Sequence, residues 1–473
     1  MPFRLIKKTS PKRRVAIIGL DCAEPSLVFN RYAADLPTIS QLRGRGAWGR
    51  LESVIPAITV PAWSCMMSGQ DPGALGIYGF RNRADYSYNH LVVANGDAVQ
   101  EPRLWDILSR YGRNSIVLSV PGTYPPRPIN GQMVGCFLTP DASAGYTYPA
   151  TLKAQIQAKF GDYPFDAKNF RTHEKDQLLK QITAMTKTHF EAARWLVKES
   201  DWDLFAMVEI GLDRMHHAFW SYMDSAHRSY KPGSPYANAI RDYYRLLDSE
   251  IAALLPLLGE DTAIFVVSDH GAKKMDGGIA INEWLIREGY LTLAEPYPQE
   301  IRKPDTLKID WSKTLAWGEG GYYGRLFLNI QDREPQGIIP AEDALRVLGE
   351  IKAKLEALAD ESGQHIGTRC FLPKEIYPAV EGIPPDLLIY FGDLSWRSLG
   401  TVGWNRVHVL ENDTGPDDAN HAQHGLIIAY DPRNPANGRQ LENAHLLQIA
   451  PTVLNILGIE TPKTMRLPGL VLS

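Results

Sequence analysis

Val15-Ala-Ile-Ile-Gly-Leu-Asp21 is a six-residue stretch without a polar side chain, closed by a carboxylate. A run this short, with no polar alternation, reads as a strand covered on both faces rather than as a helix. Runs of the same kind occupy 115–120, 204–208, 263–267, 386–390 and 426–430. Longer helical patterns lie between them, at 175–199, 237–258 and 344–359. Buried strands alternating with helices predict an α/β fold: a mostly parallel central sheet with helices on both faces. Residues 294–382 are different, rich in Pro, Gly, Trp and Tyr. They read as a cap-like insertion between two parts of one catalytic α/β domain, 1–293 and 383–473. A loop-rich edge of that same domain is the plainer alternative.

A formal net charge of -4 over 473 residues makes neither a nucleic-acid duplex nor an anionic membrane the expected partner. The basic stretch 7–14 runs into a short apolar segment stopped by Asp21, which suits a buried strand better than a signal peptide. No uninterrupted apolar stretch reaches the length of a membrane span. Cys22, Cys65, Cys136 and Cys370 are scattered without a pairing framework, as reduced thiols of a cytoplasmic protein would be.

Ligands of open α/β sheets bind beyond the carboxyl ends of the strands, so the residues that follow each strand matter most. Asp21 follows the first run, Asp213 and His217 follow the 204–208 run, and Asp269 and His270 follow 263–267. His421 precedes its strand and is expected to enter from a loop. Singly, each has an ordinary explanation: an Asp after a strand caps a helix, and a lone His is hydrogen-bonded structure. Together they gather carboxylates at one sheet edge, where cations are needed, and mixed Asp/His donors suit zinc or manganese. Asp213 and His217 are spaced to share one helical face, while His216 points elsewhere. Thr59, just before Pro61 and an apolar helical pattern, is expected near a helix start, where backbone N–H groups favour phosphate. The plainer role for Thr59 is an N-cap.

These words resemble the alkaline phosphatase superfamily, and within it the type I phosphodiesterase/nucleotide pyrophosphatase branch with its phosphohydrolase and phosphomutase relatives. The matching words are Val15–Asp21, Thr59-Val-Pro-Ala-Trp-Ser64, Asp213-Arg-Met-His-His217, Ser268-Asp-His-Gly271, His421-Ala-Gln-His-Gly425 and Ala450-Pro-Thr-Val-Leu-Asn-Ile-Leu-Gly458. They occur in family order over most of the chain. The resemblance implies two divalent ions, Zn2+ first and Mn2+ as alternative. One would be held by Asp213, His217 and His421, the other by Asp21, Asp269, His270 and the Thr59 oxygen. His421, rather than His424, matches the family's position four residues before glycine. It also implies Thr59 as nucleophile and a phosphothreonine intermediate, because coordination to a dication favours the alkoxide of an otherwise poor nucleophile.

Two positions depart from the branch: Ala62 stands where an Asn usually touches phosphate, and Leu75 where a His is common. Arg81, Arg214, Lys273 and Asn282 are candidates to replace lost donors, with solvated surface roles as the ordinary alternative. Trp317, Tyr322 and Tyr323 are candidates to stack on a substrate group, against the alternative that they fill the insertion's own core. The Cys/Ser-x-Pro-x-Arg word of sulfatases and the Ser-Glu-x-Gly-His word of cofactor-independent phosphoglycerate mutases are both missing. The expected activity is cleavage of a phosphodiester or pyrophosphate bond in a small phosphorylated substrate such as a nucleotide. A phosphomonoesterase or phosphomutase is the alternative within the superfamily, and a non-catalytic metal-binding scaffold the alternative outside it.

Overall fold

The computed structural model describes residues 13–473, so most of the basic stretch that begins at Lys7 lies outside the described residues. The central sheet has nine strands in the order Ala444–His445, Ala47–Glu52, His424–Tyr430, Ala263–Val267, Val15–Leu20, Leu204–Glu209, Ser115–Leu118, Gly131–Val134 and Thr147–Tyr148. Val15–Leu20 is central to it, paired in parallel with Leu204–Glu209 on one side and Ala263–Val267 on the other. Ser115–Leu118 and Gly131–Val134 extend the parallel set. His424–Tyr430 runs antiparallel to both its neighbours, Ala263–Val267 and Ala47–Glu52, and Ala47–Glu52 pairs in parallel with Ala444–His445.

The absence of polar alternation in the first strand has a direct cause. Ala16, Ile18 and Leu20 pack into one core with the helices Lys175–Glu199, Gly211–Met223 and Ala239–Leu258. Val15 and Ile17 pack into a second core on the opposite face, with Thr59–Ser68, Leu104–Arg110 and Ile449–Leu457. Either face would lose apolar burial to a polar side chain, so none is found.

The run at 386–390 does not join the parallel set. Leu387–Tyr390 pairs antiparallel with Gly324–Leu328 and Arg369–Phe371 in a separate four-stranded sheet that Ala316–Glu319 completes. It too is covered on both sides: Leu387 and Ile389 pack in one cluster, Leu388 and Tyr390 in another. Its sequence is therefore that of a buried parallel strand, and the pairing of the smaller sheet continues past residue 382. The helix Ala344–Glu356 covers one face through Val347, Leu348, Ile351 and Leu355. Among the described residues no helix is long and apolar enough to cross a membrane, and the four cysteines are buried without disulfides.

Gly19 couples the first strand to the layer above it. A Cβ there would lie 2.5 Å from the Trp63 ring and 2.7 Å from a Val208 methyl. Its absence lets the indole sit against the strand. Gly19→Ala is expected to destabilise the fold by about 1–3 kcal/mol through overpacking, seen as a lower thermal unfolding midpoint. An unchanged midpoint would contradict the close Gly19–Trp63 contact.

Candidate metal centre and nucleophile

The strands Ala263–Val267, Val15–Leu20 and Leu204–Glu209 are neighbours in the sheet and point the same way. Their carboxyl ends deliver Asp269 and His270, Asp21, and Asp213 with His217 to one place. The Asp21 turn is strained: Cys22 has φ 66, a left-handed conformation that a non-glycine residue adopts only under constraint. That constraint is visible. Cys22 N donates to Asp269 Oδ1 at 3.2 Å, and Ala23 N donates to Ser268 Oγ at 2.8 Å. The two strand ends are thus tied to each other.

Asp213 and His217 lie in the helix Gly211–Met223, with His217 Nε2 3.2 Å from Asp213 Oδ1. His421 does not come from a loop as expected. It sits in the short strand Ala419–Ala422, paired antiparallel with Gly271–Lys274 so that it lies opposite Ala272. This pairing brings the rings of His421 and His270 to 3.8 Å in a stack. His424 begins the next strand and pairs opposite Glu52 instead.

Thr59 is the first residue of the helix Thr59–Ser68, whose cap residue is Ile58. Its hydroxyl is not a capping group; it lies buried, 3.5 Å from His270 Nε2.

The hydrogen bonds divide each side chain into an anchored end and a free end. His217 Nδ1 meets Asp417 Oδ1 at 2.7 Å, His421 Nδ1 the Ala57 carbonyl at 3.0 Å and His270 Nδ1 the Gly271 carbonyl at 3.2 Å. All three Nε2 atoms face the centre. Asp21 Oδ2 accepts from Trp63 Nε1 at 2.6 Å, Asp213 Oδ2 from Arg214 at 2.5 Å, and Asp269 Oδ1 from Cys22. The remaining oxygens are buried and face imidazole Nε2 atoms: Asp213 Oδ1 that of His217 at 3.2 Å, Asp269 Oδ2 that of His270 at 3.1 Å, and Asp21 Oδ1 that of His270 at 3.8 Å. Buried carboxylate oxygens gathered against imidazole Nε2 atoms at 3.1–3.8 Å form a mixed donor set that fits divalent cations. The ligand atoms of Asp213, His270 and His421 lie within 4.8 Å of one another, as do those of Asp21, Asp269 and His270.

The electrostatics agree. Burial and Asp213 push Asp21 well above the ordinary carboxylate range, and burial and Asp21 do the same to Asp269. Burial also acts upward on Asp213, but the charge and hydrogen bond of His217 outweigh it and hold that carboxyl well below its usual value. Burial acts downward on His217, yet Asp417 and Asp213 lift it to about 9. Burial, then His421, keeps His270 well below the usual imidazole value. His216, buried against the Tyr244 hydroxyl at 3.3 Å, is pushed down to about 3 chiefly by burial.

The other candidates separate cleanly. Asn282 is spent on backbone: its amide donates to the Gly318 and Gly400 carbonyls at 2.9 and 2.7 Å. Lys273 donates to the Asp393 carbonyl at 2.7 Å, and Arg81 is exposed. Trp317 packs with Tyr88, Trp311 and Phe327 inside the smaller unit. Tyr323 is buried with its hydroxyl on the Tyr78 carbonyl. Neither is a surface for substrate. Arg214 does reach the centre, bridging Asp213 and Asp166, so it is not a free donor. Tyr322 reaches it as well, but its ring lies against His217 and His421. An open depression lined by Tyr86, Ser87 and residues 331–337 contains none of these side chains. The sequence reading missed Trp63, Arg171 and Asp417. Only Asp417 leaves a trace, as an acidic residue four positions before His421.

A family model for type I phosphodiesterase/nucleotide pyrophosphatase matches residues 15–425. No curated protein matches the chain. Among solved structures, human ectonucleotide pyrophosphatase/phosphodiesterase 5 is similar at 14% identity and TM-score 0.55, over 95% of this chain and 96% of that one. Phosphonoacetate hydrolase from Sinorhizobium meliloti 1021, in complex with phosphonoformate, is similar at 16% identity and TM-score 0.58, over 94% and 96%. An inactive Thr-to-Ala variant of the murine ectonucleotide pyrophosphatase/phosphodiesterase 5, in complex with AMP, gives 13% identity and TM-score 0.54, over 97% of each chain. At such identities these neighbours share the architecture. The family match spans all seven converging side chains, from Asp21 to His421, and the chain belongs to the type I phosphodiesterase/nucleotide pyrophosphatase family.

Proposed function

We propose that this phosphoester hydrolase is metal-dependent and cleaves a phosphodiester or pyrophosphate bond of a small nucleotide-like substrate through a phosphothreonine at Thr59. One observation carries the proposal: the buried Thr59 hydroxyl meets His270 Nε2 at 3.5 Å, and the same imidazole nitrogen faces Asp269 Oδ2 at 3.1 Å and Asp21 Oδ1 at 3.8 Å. Asp213, His217 and His421 would hold one cation; Asp21, Asp269, His270 and the Thr59 oxygen would hold the other. Mixed oxygen and nitrogen donors favour Zn2+, with Mn2+ as the alternative. When bound, the cations supply positive charge that favours an ionised hydroxyl and offsets charge on the transferring phosphoryl group.

The chain's own residues do the rest. Thr59 Oγ1 forms a bond to phosphorus as the bond to the leaving oxygen breaks. Water then attacks the phosphothreonine, the P–Oγ1 bond breaks, and the threonine hydroxyl is restored. The helix that Thr59 opens favours an anion at its start. The anchored Nδ1 atoms and carboxylate oxygens keep the centre from rearranging during the reaction, which is where positioning contributes to rate. The murine neighbour, inactive when a threonine becomes alanine and seen with AMP, supports the same reading. The four buried, unpaired cysteines suit a reducing compartment such as the cytoplasm.

Preference for a diester rests on charge. A monoester brings an additional negative charge, yet the guanidinium groups near the centre are already paired: Arg214 with Asp166 and Asp213, Arg171 with Asp417, Arg397 with Asp413 and Asp417.

Thr59→Ala is expected to fold and bind metal but lose kcat by about a thousandfold or more, the scale of removing a nucleophile, while Thr59→Ser keeps a measurable part. Near-normal turnover by Thr59→Ala would overturn the assignment in favour of Ser64 or direct attack by water. Under one metal condition, kcat/KM for a nitrophenyl nucleotide diester should exceed that for nitrophenyl phosphate. A monoester preference of about tenfold, roughly 1.4 kcal/mol in the barrier, would favour the phosphomonoesterase or phosphomutase alternative.

A further inference from the structure

Asp417 has a fully buried side chain whose two oxygens serve different partners. Oδ1 faces His217 Nδ1 at 2.7 Å; Oδ2 accepts from Arg171 Nε at 3.0 Å and lies 3.7 Å from Arg397. Tyr322, from the turn before the strand Gly324–Leu328 of the smaller sheet, meets the same cluster. Its ring lies 4.6 Å from that of His217 at 20° and 4.4 Å from that of His421 at 34°. It is clamped at both ends. Its carbonyl accepts from Asn420 Nδ2 at 2.9 Å, and its hydroxyl is held by Arg171, 3.4 Å from Asp417 Oδ2. The guanidinium of Arg397 stands over the ring, 5.4 Å from its centre.

We propose that Asp417 and Tyr322 are positioning residues of the Asp213/His217/His421 half of the centre, and that through Tyr322 the smaller sheet takes part in building it. The proposal rests on the two-cation reading given above. A neutral imidazole has one N–H and one lone pair; a carboxylate accepting at Nδ1 puts the N–H there and leaves the lone pair on Nε2, facing the cation. The anion also makes that nitrogen a stronger donor. Arg171 and Arg397 offset the buried charge that this requires. Tyr322 then fixes the tilt of both imidazoles by packing against them. The other half differs: His270 Nδ1 faces only the uncharged Gly271 carbonyl. Loss of Asp417 or Tyr322 should accordingly affect one ion and not the other.

The test is a Co2+ titration of the full chain, followed by equilibrium dialysis and by the visible d–d absorption of bound cobalt. Wild type should take up two ions. Asp417→Asn keeps an acceptor but loses the charge, and Tyr322→Leu loses the ring; each should weaken one ion by about 10–100-fold, the range for such supporting residues, and leave the other unchanged. Tyr322→Phe, which keeps the ring, should stay close to wild type. Thermal melts establish folding, and if Asp417→Asn fails to fold, Tyr322→Leu decides. Folded variants that bind both ions like wild type would overturn the proposal, as would equal weakening of both ions. A wild-type chain that binds only one ion would instead overturn the two-cation reading itself, before any variant is compared.

Discussion

Three carboxylates buried together set the terms for this structure. Asp21 and Asp269 offer oxygens within 4.8 Å of each other, and Asp213 is close enough to raise both. Two like charges about 4 Å apart, at an effective dielectric near 20, repel by roughly 4 kcal/mol, several times thermal energy. Protons or cations must relieve that repulsion. The surrounding groups suit cations, because each carboxylate has one oxygen fixed by a donor and the other turned toward imidazole Nε2 atoms. Trp63, the Cys22 amide and Arg214 are those donors, and each depends on something further away. Trp63 needs the space left by Gly19; the Cys22 amide needs a left-handed turn; Arg214 needs Asp166 to hold its other edge.

The fold follows from the same requirement. Side chains from distant parts of the chain meet because adjacent parallel strands end at one edge, and Val15–Leu20 can be adjacent to two of them only by lying at the centre of the sheet. The smaller sheet contributes as well. Its Tyr322 covers two imidazoles, whereas its neighbour Tyr323 places its hydroxyl on the Tyr78 carbonyl.

Much of this was legible in the sequence, and what was not has physical reasons. Strands covered on both faces announce themselves by lacking polar alternation, which made the central strands readable. The same signal misled at Leu387–Tyr390, because an antiparallel strand between two apolar clusters looks no different. The candidate ligands were readable because strand ends collect them. The strand that carries His421 was not, being four mixed-polarity residues held by pairing with Gly271–Lys274. Of the aromatic candidates, sequence could not separate Tyr322 from Tyr323, since both pack with one apolar cluster and only tertiary structure says which ring meets the imidazoles. Asp417 was missed because its partner, His217, is 200 residues away in sequence.

The account depends most on Thr59 forming a bond to phosphorus. Rapid-quench mass spectrometry of the metal-loaded chain, mixed with a nucleotide diester and digested within the first turnover, tests this directly. The account predicts a transient adduct on the peptide containing Thr59, with the mass of the transferred nucleotidyl group and fragmentation that locates it on that residue. Complete turnover of the diester with Thr59 unmodified at every quench time, or an adduct on another side chain, would contradict it.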